Sequence, residues 1–166
     1  MTWVTATSNE YGHLLTGIDN AVPCTDTMEP IKLSDIPINK TITYGTMLYD
    51  HRPLKTEKYR CCLVVGGDKL MYNSETAAPA ANLLEAKLII NSTISTPGAK
   101  FITADIKDFF LSSQMPDTEY MKMNLDEIPQ NIISKYNMND IKDKHNYVHF
   151  KIKKGMYGLK QAAILV

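Results

Sequence analysis

Asp105 ends an apolar run, FITADI, and Phe110 follows five residues later in the same stretch, FITADIKDFFLSSQ. Read as a buried strand, that run fixes a carboxylate at its end, a favourable place to hold a divalent metal. Mg²⁺ takes hard oxygen ligands in tight octahedral geometry, and a rigid sheet supplies them. The same Asp105 serves equally as the cap of a turn over 106–110, and Phe110 as ordinary core. A second stretch, KKGMYGLKQA, gathers Gly155, Gly158, Lys160 and Gln161 into a turn that opens a helix. Glycines there let backbone approach a ligand closely, although such turns are common in α/β proteins. Arg52 and Arg60 bracket Lys55 and Lys58. A guanidinium presents a planar donor fork that matches phosphate oxygens, while a solvated hairpin tip calls for the same residue types.

Elements must hold these residues. TITYGTMLY and YRCCLVV, interrupted by HRPLKTE with its Pro53, predict a hairpin over 41–66. Pro79 and the spacing of Leu83, Ala86, Ile90 and Ile94 predict a helix over 79–95, stopped by Thr96-Pro97-Gly98. FITADI follows as a strand, 107–113 as a short turn or helix, and EYMKMNL as a half-buried strand. Pro129 opens a helix with Ile132, Ile133 and Tyr136 on its apolar face. Val148, Phe150 and Ile152 alternate with Tyr147, His149 and Lys151 as a further strand, and GLKQAAILV begins a helix. Residues 1–40 are expected to be loop and short helix. This order predicts an α/β, α+β mixed fold.

The chain has 166 residues, 44% of them hydrophobic, enough for one ordinary core. Eighteen basic residues balance eighteen acidic ones. A stand-alone nucleic-acid binder is usually basic overall, because phosphate contacts supply much of its affinity. Here the cations flank an acidic centre: Lys151, Lys153, Lys154 and Lys160 in one run, Arg52 to Arg60 in another. Chance clustering on solvated faces accounts for the same pattern. Cys24, Cys61 and Cys62 form no CxxC pair, so neither a zinc site nor a disulfide framework is indicated. His145 and His149 have no partner spacing for a metal or a nucleophile. No basic region precedes an apolar run at the N-terminus, and no apolar stretch approaches the ~20 residues that span a bilayer. A cytoplasmic or nuclear setting without membrane association is the expectation.

In order and spacing, these stretches resemble consecutive motifs of the reverse transcriptases of copia-type (Pseudoviridae) retrotransposons. The likeness runs from about NEYGHLLTG to QAAILV. TYGTMLYDHRPLKTEKYRCCLVVGGDKL resembles the fingers, and INSTISTPGAKFITADIKDFFL the helix and first catalytic motif. The resemblance implies a fingers hairpin plus an incomplete palm sheet with helices of a right-hand polymerase over 41–166, after a poorly defined segment, 1–40. It implies that Asp105 bridges two Mg²⁺ (or Mn²⁺) ions, with the carbonyl of Ile106 as accessory ligand. Phe110 is then the steric gate against a 2′-hydroxyl, and Asp108 lies near the sugar and triphosphate, or is a plain surface carboxylate. Arg52 and Arg60 close on the triphosphate, and Gln161 buttresses the nucleotide and template base. Lys154, Gly155 and Gly158 track the template.

The implied partners are an RNA template, a DNA primer and deoxynucleoside triphosphates, with the remainder of a polyprotein missing. Cys62 stands where many members carry a second arginine. The family's catalytic site also needs paired aspartates, and the chain contains no Asp-Asp. The expectation is therefore a fragment of an RNA-directed DNA polymerase that is inactive alone and does not retain the metal. The alternative is a non-catalytic remnant that binds nucleic acid or protein.

Overall fold

Val148, Phe150 and Ile152 are fully buried along β5 (Tyr147–Lys154), as their alternation demands. The structure, a computed structural model, describes residues 2–19, 22–72, 76, 81–104 and 106–164. β5 lies between β1 (Met28–Ile31) and β4 (Gln114–Asn124) and runs antiparallel to both. β4 in turn pairs parallel with β2 (Ile42–His51), through Ile42–Tyr44 against Tyr120–Lys122. β2 and β3 (Tyr59–Val65) form the predicted hairpin, giving the order β1-β5-β4-β2-β3. With three α-helices among the described residues, the fold is mixed α+β.

Residues 1–40 hold more structure than loop and short helix. α1 (Trp3–Leu14) starts at Thr2, whose hydroxyl accepts from the amide of Thr5, and buries Ala6, Tyr11 and Leu14. It packs against β3, where the Glu10 carboxylate accepts the amide of Leu63 at 3.0 Å. β1 closes one edge of the sheet, and its Met28 is fully buried. The core joins these to Leu63, Met121, Met123 and Phe150, and to Ile132 from α3 (Gln130–Lys135). Methionine fills much of it, which suits a sheet whose bulge between Gln114 and Glu119 leaves irregular gaps.

Three expectations are corrected. The helix predicted over 79–95 begins later, as α2 (Leu83–Ser95), because Asn82 and Glu85 form a reciprocal capping box; Pro79 lies outside the described residues. Its expected apolar face does not pack: Leu83, Ile90 and Ile94 are exposed, as are Leu84, Leu88 and Ile89. Apolar residues encircle this helix instead of forming one stripe, so no single face directs it onto the sheet. Nor is FITADI a strand, since residues 101–104 carry no ladder and Phe101 and Ile102 are exposed. Such a run needs cover on both faces, which α2 does not give, and both sides of β4 are already taken by β2 and β5. At the other end, GLKQAAILV forms a 3₁₀ turn at Ala162–Ile164 in place of the helix start.

Burial contrasts give the first prediction. Phe150→Ala is expected to cost about 3–5 kcal/mol, and Leu88→Glu within about 0.5 kcal/mol, in urea denaturation. Equal costs would mean that α2 is packed.

His149 gives the second. It is 2% exposed, its Nδ1 has no hydrogen-bond partner, and its Nε2 lies 3.8 Å from Asp143 Oδ2. Burial pushes this imidazole below its ordinary value, against the pull of Asp143. The unfolded chain therefore binds the proton more readily, and stability is lost as pH falls below about 6.5. Denaturation from about pH 8 to 5 is expected to show the wild type losing more stability than His149→Gln on the acid side. Parallel curves would contradict the assignment.

Candidate functional site

Arg52 leaves the end of β2 with its amide bonded to the carbonyl of Lys58 at 2.7 Å, closing the hairpin tip. Its guanidinium pairs with Glu57 at 2.7 Å, and its Nε is buried without a hydrogen-bond partner. Arg60, on β3, is exposed and has no ion pair among the described residues. Both arginines line one cleft of about 380 Å³, bounded by Glu10 and His13 of α1 and by Lys107 and Asp108. The structure thus brings Arg52 and Arg60 of the hairpin together with Asp108, some fifty residues further along the sequence. Cations and carboxylates alternate around this cleft, so an anion entering it must displace existing pairs, Arg52–Glu57 first.

Asp108 is held by His13. The imidazole Nε2 lies 3.1 Å from Asp108 Oδ1, and Nδ1 lies 2.7 Å from the carbonyl of Pro23. Both ring nitrogens thus face oxygen atoms, which fixes the orientation of the ring between the two segments. Asp108 itself sits at φ 58°, a left-handed conformation that Asp and Asn tolerate better than most residues. Glu10 lies in the same cleft, and burial raises its carboxyl above the ordinary range despite the Leu63 amide.

Phe110 and Ile106 face a neighbouring cleft of about 350 Å³, shared with Phe109 and Tyr157. The rings of Phe110 and Tyr157 meet edge to face, with centroids 5.7 Å apart. Gly155 lies against the backbone here: a Cβ at that position would stand 2.6 Å from the carbonyl oxygen of Phe110. Gly158, at φ 92°, is tighter still, since a Cβ would stand 2.0 Å from the carbonyl of Val65. Two glycines of KKGMYGLKQA therefore serve close approach, but to this chain's own backbone.

Gln161 and Lys154 are engaged elsewhere. Gln161 is buried and its Nε2 donates to Glu119 of β4 at 3.5 Å. Lys154 donates to the carbonyl of Thr25. The adjacent Lys153 pairs with Asp26 at 2.6 Å and Glu29 at 3.4 Å, and Lys151 pairs with Glu29 at 3.6 Å. Asp105 lies outside the described residues. Among those that are described, no three His, Cys, Asp or Glu side chains are placed to hold a metal ion, and Asp108 is committed to His13.

Glu10, His13 and Tyr157 belong to the clefts yet were not singled out from sequence. The spacing of Glu10 and His13, three apart on one helical face, carries that information once 3–14 is read as a helix. Tyr157, between the two glycines, has no comparable signal.

The His13–Asp108 pair predicts that Asp108→Asn, which keeps the backbone conformation accessible, loosens the turn over 107–110. Amide exchange there is expected to quicken roughly 5- to 10-fold while global stability changes by less than about 1 kcal/mol. Unchanged exchange would show that the pair positions nothing.

Compared with known proteins, the chain matches no family model, no curated protein and no solved structure.

Proposed function

We propose that this chain is the fingers and part of the palm of a copia-type RNA-directed DNA polymerase, inactive as it stands. The convergence of Arg52, Arg60 and Asp108 on one cleft, beside Phe110, carries this reading. In it the two guanidiniums meet the phosphates of an incoming deoxynucleoside triphosphate, Arg60 directly and Arg52 after exchanging Glu57 for phosphate. Phosphoryl transfer asks the protein mainly for positioning and charge stabilisation, and a hairpin carrying both arginines suits that task. Phe110, packed against Tyr157, presents an aromatic edge where a sugar would rest. Gln161 acts through the base of the turn, by way of Glu119, rather than by touching a nucleotide.

In this reading Asp105 and the carbonyl of Ile106 would hold Mg²⁺ or Mn²⁺ in the complete family enzyme, where the metal would supply charge stabilisation for phosphoryl transfer. The chain's own residues supply one carboxylate of that set and no Asp-Asp pair. Template and primer contacts are weak in the same reading, because Lys151, Lys153 and Lys154 are already bonded within the chain.

Equilibrium binding of a deoxynucleoside triphosphate at low salt is expected to be measurable, and Arg60→Ala to weaken it about 10-fold. Binding indifferent to that substitution would remove the nucleotide reading. Template-directed extension with Mg²⁺ or Mn²⁺ is expected to give no product. Product abolished by Asp105→Asn would overturn the inactivity.

A further inference from the structure

Other residues of α1, Trp3, Val4 and Thr7, line a groove of about 570 Å³ that the polymerase reading does not use. Its wall is aromatic. The Trp3 ring meets Tyr49 edge to face at 5.3 Å and 86°, and meets Tyr59 at 4.8 Å and 74°. Trp3 is 37% exposed and Tyr49 55%, so two large rings face solvent where burial would stabilise them more. The floor is aliphatic, from Val4, Ile128 and Pro129. Asp126 and Glu127 also line the groove.

The charge in this groove is one-sided. Among the described residues, no lysine or arginine lines it. Asp126 accepts a hydrogen bond from Asn146 at 3.1 Å, whereas Glu127 has no ion pair or side-chain hydrogen bond among the described residues. Behind the wall, the Tyr11 hydroxyl is buried without a partner. Burial first, and then the charge of the nearby Glu127, push that phenol above its ordinary value. Aromatic faces attract cations through their quadrupole, and more strongly when a carboxylate stands close by.

We propose that this groove binds a lysine side chain presented by a segment of a partner protein. Aliphatic and aromatic lining together with two carboxylates fits a four-carbon stem with an ammonium head. The volume exceeds that of one side chain, so flanking residues of the segment share the groove. A choline headgroup offers the charge without the stem and matches only the rings.

Trp3 is the sole tryptophan of the chain, so its fluorescence reads the groove directly. Titrating the full chain with a Gly-Gly-Lys-Gly-Gly peptide is expected to give a saturable change. The same peptide with norleucine for lysine, equal in stem but uncharged, is expected to bind roughly 5- to 10-fold more weakly. Glu127→Gln is expected to weaken the lysine peptide several-fold while leaving that of norleucine unchanged. Equal binding of the two peptides by the wild type would overturn the proposal even if the variant does not fold. Response to choline-headgroup vesicles without response to the lysine peptide would overturn it too.

Discussion

The amide of Val65 donates to the carbonyl of Tyr157 at 2.8 Å, and this bond joins the end of the hairpin to the turn after β5. The approach is possible because Gly158 carries no side chain: any Cβ there would collide with Val65. On the other side of the same turn, Gly155 admits the backbone of Phe110 and donates its amide to Ser113 at 2.8 Å. Both clefts described above take their walls from what this turn holds in place. Arg60 comes from the strand that ends at Val65, and Phe110 and Tyr157 face each other across the turn. Backbone contact of this kind leaves little slack, since neither peptide can retreat without giving up a hydrogen bond inside the structure.

Legibility of the fold followed the strength of local patterning. The hairpin was plain from two β-branched runs around Pro53, and β5 from strict alternation of Val148, Phe150 and Ile152 with polar residues. β4 was legible over Glu119–Asn124 but extends back to Gln114, across a bulge that no residue announces. α1 was hidden because its threonines and Gly12 are indifferent helix formers; packing of Tyr11 and Leu14 against the sheet decides it. FITADI and α2 misled for the opposite reason. Their apolar content promises burial, yet burial depends on a partner surface, which no window of sequence contains.

The candidate site divides in the same way. Arg52 and Arg60 were visible because hairpin geometry is local, and Asp108 and Phe110 because they share one short stretch. That these meet at one cleft depends on α1, which supplies His13 and Glu10, and a reading of 1–40 as loop and short helix does not place that helix against the hairpin. The lysines of β5 show the limit of charge counting. Lys153 and Lys151 read as a stripe for phosphate, but β1 pairs with this strand and sets Asp26 and Glu29 beside them. Two cations that look free in sequence are neutralised by tertiary neighbours, and Lys154 beside them is spent on the carbonyl of Thr25.

α2 has a consequence for handling the molecule in solution. Thirteen residues, held by their own capping box, expose six leucines and isoleucines on every side. A chain with pI near 6.9 has little charge repulsion at neutral pH to keep copies apart. Colloidal behaviour is then governed by this one helix rather than by the sheet that determines the fold. Dilution, pH and detergent will change the apparent size of the particle long before they change its tertiary structure.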